Sequence, residues 1–445
     1  MSGASEPRRY ADMIDLERGL VDRRVFVDEA IYRRELEVVF GRCWLYLAHE
    51  SELPNPGDYV NVLMGTTSVI LARARDGKLR AFLNSCRHRG NSVCRADRGT
   101  AKTFICPYHG WSYDLTGRLV GLPGAKELYA GSVDRAQWGL VPVAQVASYK
   151  GLVFGCFDPE APSLEEYLGD MRWGLDLLLD QGDMVAVPGT MRWSMECNWK
   201  MPAENTGGDT YHVYWSHRSA FLAGHEDGDG ATHTEEHAGT WADMFALEGF
   251  TMVTAYGHGF NADYASTRID ETSPLTAWRR DPEVQRKMGA FRRRIHRANQ
   301  NVFPNLLVAT GSRELVIRNP VGPTRTELRK TLLVDRNADP AAQRAQIRAS
   351  NRHFGPAGMF EQEDGENWEQ STQGARGPIA DRYPLHYGMG VGRGAIVDDG
   401  QSPPRIDSLM NEHYQLWMYR AWAEFMDAPS WSELARSHSR PKGVV

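Results

Sequence analysis

Two short segments restrict this fold more than anything else in the chain: CRHRG from Cys86 and CPYHG from Cys106. Each offers one thiol and one imidazole, as C-x-H and C-x2-H, and seventeen residues separate His88 from Cys106. Segments this far apart serve one centre only if the chain folds them side by side. The flanking sequence shows how. YVNVLM (59–64), TSVILARA (67–74) and LRAFLN (79–84) alternate as strands, with Asp76-Gly77 as a hairpin turn and Leu115-Thr116-Gly117 as another. A small antiparallel β domain is therefore predicted, with the Cys/His pairs at hairpin tips.

Two thiolates and two imidazoles fit zinc. They also fit a Rieske [2Fe-2S] centre, which has two Cys on one iron and two His on the other. The order Cys-His, Cys-His favours the cluster over the zinc-finger order Cys-Cys, His-His. Cys94 has no place in that spacing and reads as a packed or free thiol. Seven Lys or Arg and one acid, Asp97, lie between Lys78 and Lys102. They form either a solvated face offsetting the charge of a thiolate-bound cluster or a docking patch for an acidic electron donor.

A second constellation lies in NWKMPAENTGGDTYHVYWSH, residues 198–217. Two histidines beside carboxylates are most of a 2-His-1-carboxylate face, which suits Fe(II) and leaves positions open. His212 and His217 are five apart, about 140° off one face of a regular helix. The helix must kink, bulge or end there if both are to reach one ion. Asp209, three before His212, is better placed to accept a histidine ring N–H than to bind metal. Downstream, EQED (361–364) supplies a third ligand; by residue type alone Glu363 and Asp364 serve equally.

The rest reads as a large α+β domain. VDEAIYRRELEVVFGRCW (27–44) places Ile31, Leu36, Val39 and Phe40 on one helical stripe. APSLEEYLGDMRWGLDLLLD (161–180) is an amphipathic helix, and MRWSMECNWK (191–200) is a strand. DPEVQRKMGAFRRRIHRANQ (281–300) reads as a basic helix. NVFPNLLVATGSRELVIRNPVGP and TRTELRKTLLVD alternate as strands. Residues 340–375 read as a long helix interrupted at Gly355-Pro356. The tail after Asp407 is helical, then disordered-looking. Phe221–Gly239, rich in Gly and acids and holding His225, His233 and His237, reads as a mobile lid or channel loop. Net charge is −6, which argues against nucleic-acid binding. The start lacks an apolar signal region, and no run of eighteen apolar residues exists, so a cytoplasmic protein with no membrane span is expected.

CxHRG…CPYHGWSYDLTG, then NWKxPAENxxGDxYHxxxxH, then EQEDGENW resemble the large (α) subunit of Rieske non-haem iron ring-hydroxylating oxygenases, of the naphthalene, biphenyl and benzoate dioxygenase type. The resemblance runs from WLYLAHESELPNPGDY at residue 44 to NEHYQLWMYRAWAEFM near the C-terminus. It implies a Rieske domain over 43–158, a catalytic domain over 159–445 and an N-terminal helical segment, 1–42, packing on the latter. The implied fold is α+β: a small antiparallel β domain beside a larger, helix-grip-like domain whose curved antiparallel sheet grips helices. The implied cluster ligands are Cys86, His88, Cys106 and His109. The implied iron ligands are His212, His217 and Asp364. Asp209 and Asn205 take catalytic roles. Asn205, Thr206, Phe354 and Phe360 line the substrate pocket.

By the same resemblance, NAD(P)H delivers electrons through a reductase and ferredoxin, and both atoms of O2 enter an aromatic ring as a cis-dihydrodiol. The alternative is a Rieske monooxygenase that hydroxylates or demethylates an aromatic acid. Members of the type form α3 or α3β3 rings, the latter with a small β subunit. Two departures from the commoner pattern bear on substrate. Thr206 stands where hydrocarbon oxygenases often carry a larger apolar residue, and Arg318 stands in RNP where Trp-x-Pro is frequent. Arg318 either faces the pocket, where its guanidinium favours an aromatic acid, or points to solvent from the alternate strand face.

Overall fold

The computed structural model describes residues 9–223, 245–264 and 273–445. Most of the lid expected over Phe221–Gly239, with its three histidines, lies outside them. The chain divides into two compact units, Phe40–Leu164 and a discontinuous one made of Met1–Val39 with Glu165–Val445.

The smaller unit is built from short antiparallel strands. β1 (Leu45–His49), β2 (Asp58–Met64), β3 (Thr67–Arg73), β4 (Leu79–Leu83) and β5 (Arg98–Thr100) precede the second Cys/His segment. β6 (Phe104–Ile105), β7 (Ser112–Tyr113) and β8 (Leu119–Gly121) surround it, and β9 (Gln145–Tyr149) and β10 (Leu152–Cys156) close the unit. They form a β4-β3-β2-β5 sheet, a β8-β7-β6 sheet and a β9-β10-β1 sheet. Alternation in β2 buries Val60, Val62 and Met64 in turn. Gly77 and Gly117 take positive φ at the two expected turns.

The larger unit centres on ten antiparallel strands. In chain order these are β11 (Met184–Ala186), β12 (Met191–Met195), β13 (Gly249–Val253), β14 (Gly259–Tyr264) and β15 (Ile295–Val302). There follow β16 (Leu306–Ala309), β17 (Glu314–Gly322), β18 (Arg325–Asp335), β19 (Ile396–Val397) and β20 (Arg405–Ile406). The order is β11-β18-β17-β16-β15-β14-β13-β20-β19, with β12 also paired to β18. Its principal helices are α1 (Glu29–Val38), α2 (Met171–Leu179), α3 (Lys200–Gly208), α4 (Val213–Ser216), α5 (Pro340–His353), α6 (Met359–Gly374) and α7 (His413–Asp427). No described helix is long and apolar enough to cross a membrane.

Helix α3 lies close against α7. A Cβ on Gly207 would stand 2.3 Å from the Tyr414 ring, so only glycine allows the approach. On the sheet side, Asn301 of β15 donates to the Tyr414 hydroxyl, tying the sheet to α7.

Several elements differ from the reading by pattern. Among the described residues of the N-terminal stretch only Glu29–Val38 is α-helical; the other elements there are 3-10 turns and two-residue strands. Its buried face carries Glu35 rather than Leu36, because Glu35 takes the Lys200 ammonium and the Trp199 and Trp422 indole N–H groups. The basic helix at 281–300 ends at Arg292, and Ile295–Val302 is a central strand. Pairing on both sides, to β14 and β16, overrides the local helical appearance. Gly169, at positive φ, divides the 161–180 helix in two. The tail is ordered onto its own unit: Val445 and Gly394 exchange backbone hydrogen bonds, and the His438 ring meets Glu424 at 2.7 Å.

Candidate metal centres

The two Cys/His segments adopt the same backbone. In each, the glycine four residues after the cysteine donates its N–H to the cysteine carbonyl, Gly90 to Cys86 at 2.8 Å and Gly110 to Cys106 at 3.0 Å. Both glycines sit at positive φ, 75° and 74°. In each, the cysteine N–H returns to the carbonyl five residues on, Asn91 at 2.9 Å and Trp111 at 2.8 Å. Two matched turns thus present one sulfur and one imidazole apiece. The His88 and His109 rings lie 4.4 Å apart, and His88 stacks on Trp111 at 5.0 Å.

These groups fit a cluster. The Nδ1 of His88 is buried with no hydrogen-bond partner, as a ring nitrogen reserved for a metal would be. Burial opposes ionisation of Cys106, yet backbone N–H groups of Tyr108 and His109 hold its thiol below the usual range. Tyr113, which sequence reasoning missed, places its hydroxyl 3.3 Å from the Cys86 sulfur and accepts the Arg87 N–H at 3.1 Å. Cys94 differs: burial pushes its thiol up to about 11, and it lines the unit's core.

In the larger unit the five-residue histidine spacing is resolved by a break in the helix. α3 stops at Asp209, whose φ of −100° and ψ of 83° are non-helical. The chain restarts as the single turn α4, with His212 before it and His217 after it. Both rings then reach the same point from opposite ends of one turn. His212 Nε2 and His217 Nε2 are 3.1 Å apart and lie 3.1 Å and 3.3 Å from Asp364 Oδ1 on α6. That oxygen is buried without a hydrogen bond, and three ligand atoms converge on one spot. The set can hold one octahedral-type ion on a face. Burial opposes ionisation of Asp364, but the two imidazoles keep its carboxyl well below the usual carboxylate range.

The choice between Glu363 and Asp364 follows from position. Asp364 faces the convergence point, while Glu363 takes His217 Nδ1 at 2.8 Å from behind, its other oxygen accepting from Ser219. His212 Nδ1 is flanked by Asp209 Oδ1 at 3.5 Å and the Asn205 amide at 3.4 Å. Asp209 also accepts the His212 backbone N–H at 3.1 Å.

A cavity opens on the three ligands. Asn205, Thr206, Phe354 and Phe360 line it. Phe360 stacks on His217 with ring centres 4.3 Å apart. Thr206 spends its hydroxyl on the Pro202 carbonyl at 2.7 Å, so its polarity belongs to the helix. Arg318 requires a correction on both counts: it neither lines the cavity nor reaches solvent. It is fully buried beneath the first turn of α3, donating to the Pro202 carbonyl at 3.3 Å and to Asn301. The cavity instead includes Asn261, Asp263, Arg297 and Asn299, which pattern reading missed. On β14 the signal was alternation, with Asn261 and Asp263 set between Phe260, Ala262 and Tyr264; β15, polar at His296 and Gln300 as well, offered none.

The comparisons with known proteins agree with this architecture. Residues 43–149 match the Rieske [2Fe-2S] domain family, and residues 164–427 match the ring hydroxylating alpha subunit (catalytic domain) family. The chain is 36% identical to the biphenyl dioxygenase subunit alpha of Metapseudomonas furukawaii, covering 96% of this chain and 95% of that one. It is 35% identical to the large oxygenase component of the naphthalene 1,2-dioxygenase system of Pseudomonas aeruginosa, over 94% of each. A solved structure of a naphthalene 1,2-dioxygenase mutant bound to phenanthrene superposes with a TM-score of 0.87 at 31% identity, covering 96% of this chain and 97% of that one. Relatives of this kind carry a Rieske cluster and a mononuclear iron, and with both domains matched in order over nearly its whole length, this chain belongs to the α subunits of the Rieske non-haem iron ring-hydroxylating dioxygenases.

Proposed function

We propose that this chain is the terminal oxygenase of a multicomponent cytoplasmic system that adds both atoms of O2 to an aromatic ring, giving a cis-dihydrodiol. Electrons come from NADH or NADPH through a reductase and a ferredoxin. The observation that carries this reading is the open three-donor face of His212, His217 and Asp364 beside a cavity with an aromatic and aliphatic wall, including Val213, Phe221, Leu307, Phe354 and Phe360. Cys86, His88, Cys106 and His109 hold the cluster. When bound, the cluster passes single electrons and the mononuclear iron binds and activates O2.

The protein's part is positioning. Glu363 keeps the His217 proton on Nδ1, leaving Nε2 for metal, and Asp209, whose Oδ1 is 3.5 Å from His212 Nδ1, does the same for His212. Three protein ligands would leave positions on a bound iron free, and the cavity lies against the same three residues. The apolar wall holds a flat ring over those positions and excludes water. Asp209 serves a second purpose. Beyond the substrate cavity it also lines a separate hollow with Glu204, His386, Tyr387 and Glu412. In an α3 or α3β3 ring, that hollow receives His109 of a neighbouring chain, and Asp209 links it to His212.

Turnover under labelled O2 tests the reaction. Two labelled oxygens on vicinal carbons support it; one labelled oxygen converts the reading to a monooxygenase. For the route, a cluster-dead chain (Cys86→Ser) is co-assembled with an iron-dead chain (Asp364→Ala). Transfer between chains restores roughly a quarter of the sites in random rings. Verified mixed rings without activity would exclude it.

A further inference from the structure

The break after α3 is an exchange of hydrogen-bond partners. In an unbroken helix the Gly208 carbonyl would take the N–H of residue 212, four places on. Here that N–H goes to the Asp209 carboxylate at 3.1 Å, and the Gly208 carbonyl takes the Asn261 side-chain amide at 2.7 Å. Carbonyls in the last turn of a helix need an outside donor, and Asn261 reaches in from the middle of β14. The same amide nitrogen lies 3.2 Å from the Thr210 hydroxyl and 3.3 Å from the Leu409 carbonyl. It therefore holds the residues on both sides of Asp209, the position whose φ of −100° and ψ of 83° turn the chain.

The amide is itself held. The Gly208 and Leu409 carbonyls can only accept, so the nitrogen faces them and the oxygen faces the other way. That oxygen accepts from the Thr251 hydroxyl, 2.9 Å away on β13 and directly opposite in register. Thr251 in turn accepts from the Asn411 amide at 2.9 Å, and Asn411 accepts the His413 N–H at 3.1 Å, where α7 begins. Asn261, Thr251 and Asn411 are all buried, and a buried network satisfied in this way fixes one orientation. The sheet thus sets a backbone turn, and the turn decides where His212 lies. A helix continued through Asp209 would send His212 and His217 to faces about 140° apart.

We propose that Asn261 is a positioning residue of the mononuclear iron site: by taking the Gly208 carbonyl it holds the helix break that brings His212 to the metal beside His217 and Asp364. In this role it acts through Gly208, Asp209 and Thr210 rather than on the metal. This rests on the reading of His212, His217 and Asp364 as iron ligands.

The test loads the full-length oxygenase with Fe(II) anaerobically and reads the site in two ways. One is the iron retained against a graded ferrous chelator. The other is the electron spin resonance signal of the mononuclear iron with nitric oxide added, which reports ligand geometry. Asn261→Leu is close in size and removes the donors; Asn261→Asp keeps the shape and replaces the donors with an acceptor. Both should weaken iron about 10–100-fold, the effect of losing an outer partner of a ligand, and change the rhombicity of the nitric oxide signal. Cluster absorbance and acid-labile sulfide should stay unchanged. Thr251→Val leaves the amide in place but unsteadied, and should weaken iron roughly two- to tenfold, the loss of one hydrogen bond; it decides the matter if both Asn261 variants fail to fold. His438→Ala, which unties the tail from Glu424 in the same unit, is the control for lost stability alone. The proposal is overturned if the Asn261 and Thr251 variants keep the unaltered affinity and signal, or if His438→Ala loses iron equally for the same fall in melting temperature. If the unaltered protein holds only the two cluster irons, the iron-site reading falls and the Asn261 assignment with it.

Discussion

Replacing Asp364, Glu363 and Ser219 one at a time should produce a graded loss of the mononuclear iron, because the three stand at increasing distance from it. Asp364→Ala removes one of three donor atoms outright, and the protein should retain two irons per chain rather than three. Glu363→Ala leaves all three donors but frees His217 Nδ1, held at 2.8 Å. Losing such an outer partner weakens metal binding about 10–100-fold, which is about 1.4–2.7 kcal/mol. Ser219→Ala removes one hydrogen bond to Glu363. At about 0.5–1.5 kcal/mol it should weaken iron roughly two- to tenfold. The assay is iron per chain after equilibration against a graded series of a ferrous chelator, with acid-labile sulfide measured in parallel to confirm that the cluster is intact. Iron retained by Asp364→Ala, or lost more readily from Ser219→Ala than from Glu363→Ala, would refute the ligand assignment.

Cys86→Ser or His109→Ala should bleach or shift the visible cluster absorbance, whereas Cys94→Ser should leave the spectrum unchanged. Glu35→Ala should lower stability by at least about 3–5 kcal/mol in urea unfolding, since it leaves the Lys200 ammonium buried and unpaired; a Glu35→Leu, Lys200→Met double variant should recover most of that loss. Burial pushes the Glu204 carboxyl up to about 8, against the pull of hydrogen bonds from Tyr419 and Tyr387. Between its ordinary 4.5 and 8 the folded state therefore keeps a proton that the unfolded state has released, and stability falls by about 1.4 kcal/mol per pH unit as pH rises. Glu204→Gln should remove that share of the slope, leaving those of Glu361, Glu314 and Glu412, which burial raises likewise; an unchanged slope would show that Glu204 is ionised in the fold.

The metal chemistry was legible because ligand spacing is a local property. C-x-H and C-x2-H fixed the form of the two turns, and the five-residue gap between His212 and His217 required the break that occurs at Asp209. Residue type left Asp364 and Glu363 equal and only the family resemblance chose Asp364; the physical reason needed the fold, since neighbours on a helix differ only in where the helix axis points them. The polar strand face of the cavity was missed for a definite reason. RRRIHRANQ looks like a solvated helix, and only its pairing with β14 and β16 makes it a strand that turns Arg297 and Asn299 inward. Arg318 was misread in the opposite sense: strand alternation did place it inward, but under α3, where backbone carbonyls and Asn301 absorb its charge.

The burial of Glu35 also sets a timetable for synthesis. Its partners Lys200 and Trp422 leave the ribosome long after it, at opposite ends of the catalytic unit. At about 5–20 residues per second, the interval from Glu35 to Trp422 is roughly 20–80 s. For the first roughly 8–33 s, until Lys200 emerges, the first segment of the catalytic unit waits with an unpaired carboxylate, and its Trp422 partner comes only at the end of the interval, while Phe40–Leu164 is already complete and free to fold. The cluster-bearing unit can thus mature on the nascent chain before the catalytic unit closes. A chain stalled or truncated before α7 would carry a finished β unit joined to an arm with nothing to dock on, and such fragments should be proteolysed from their N-terminal end.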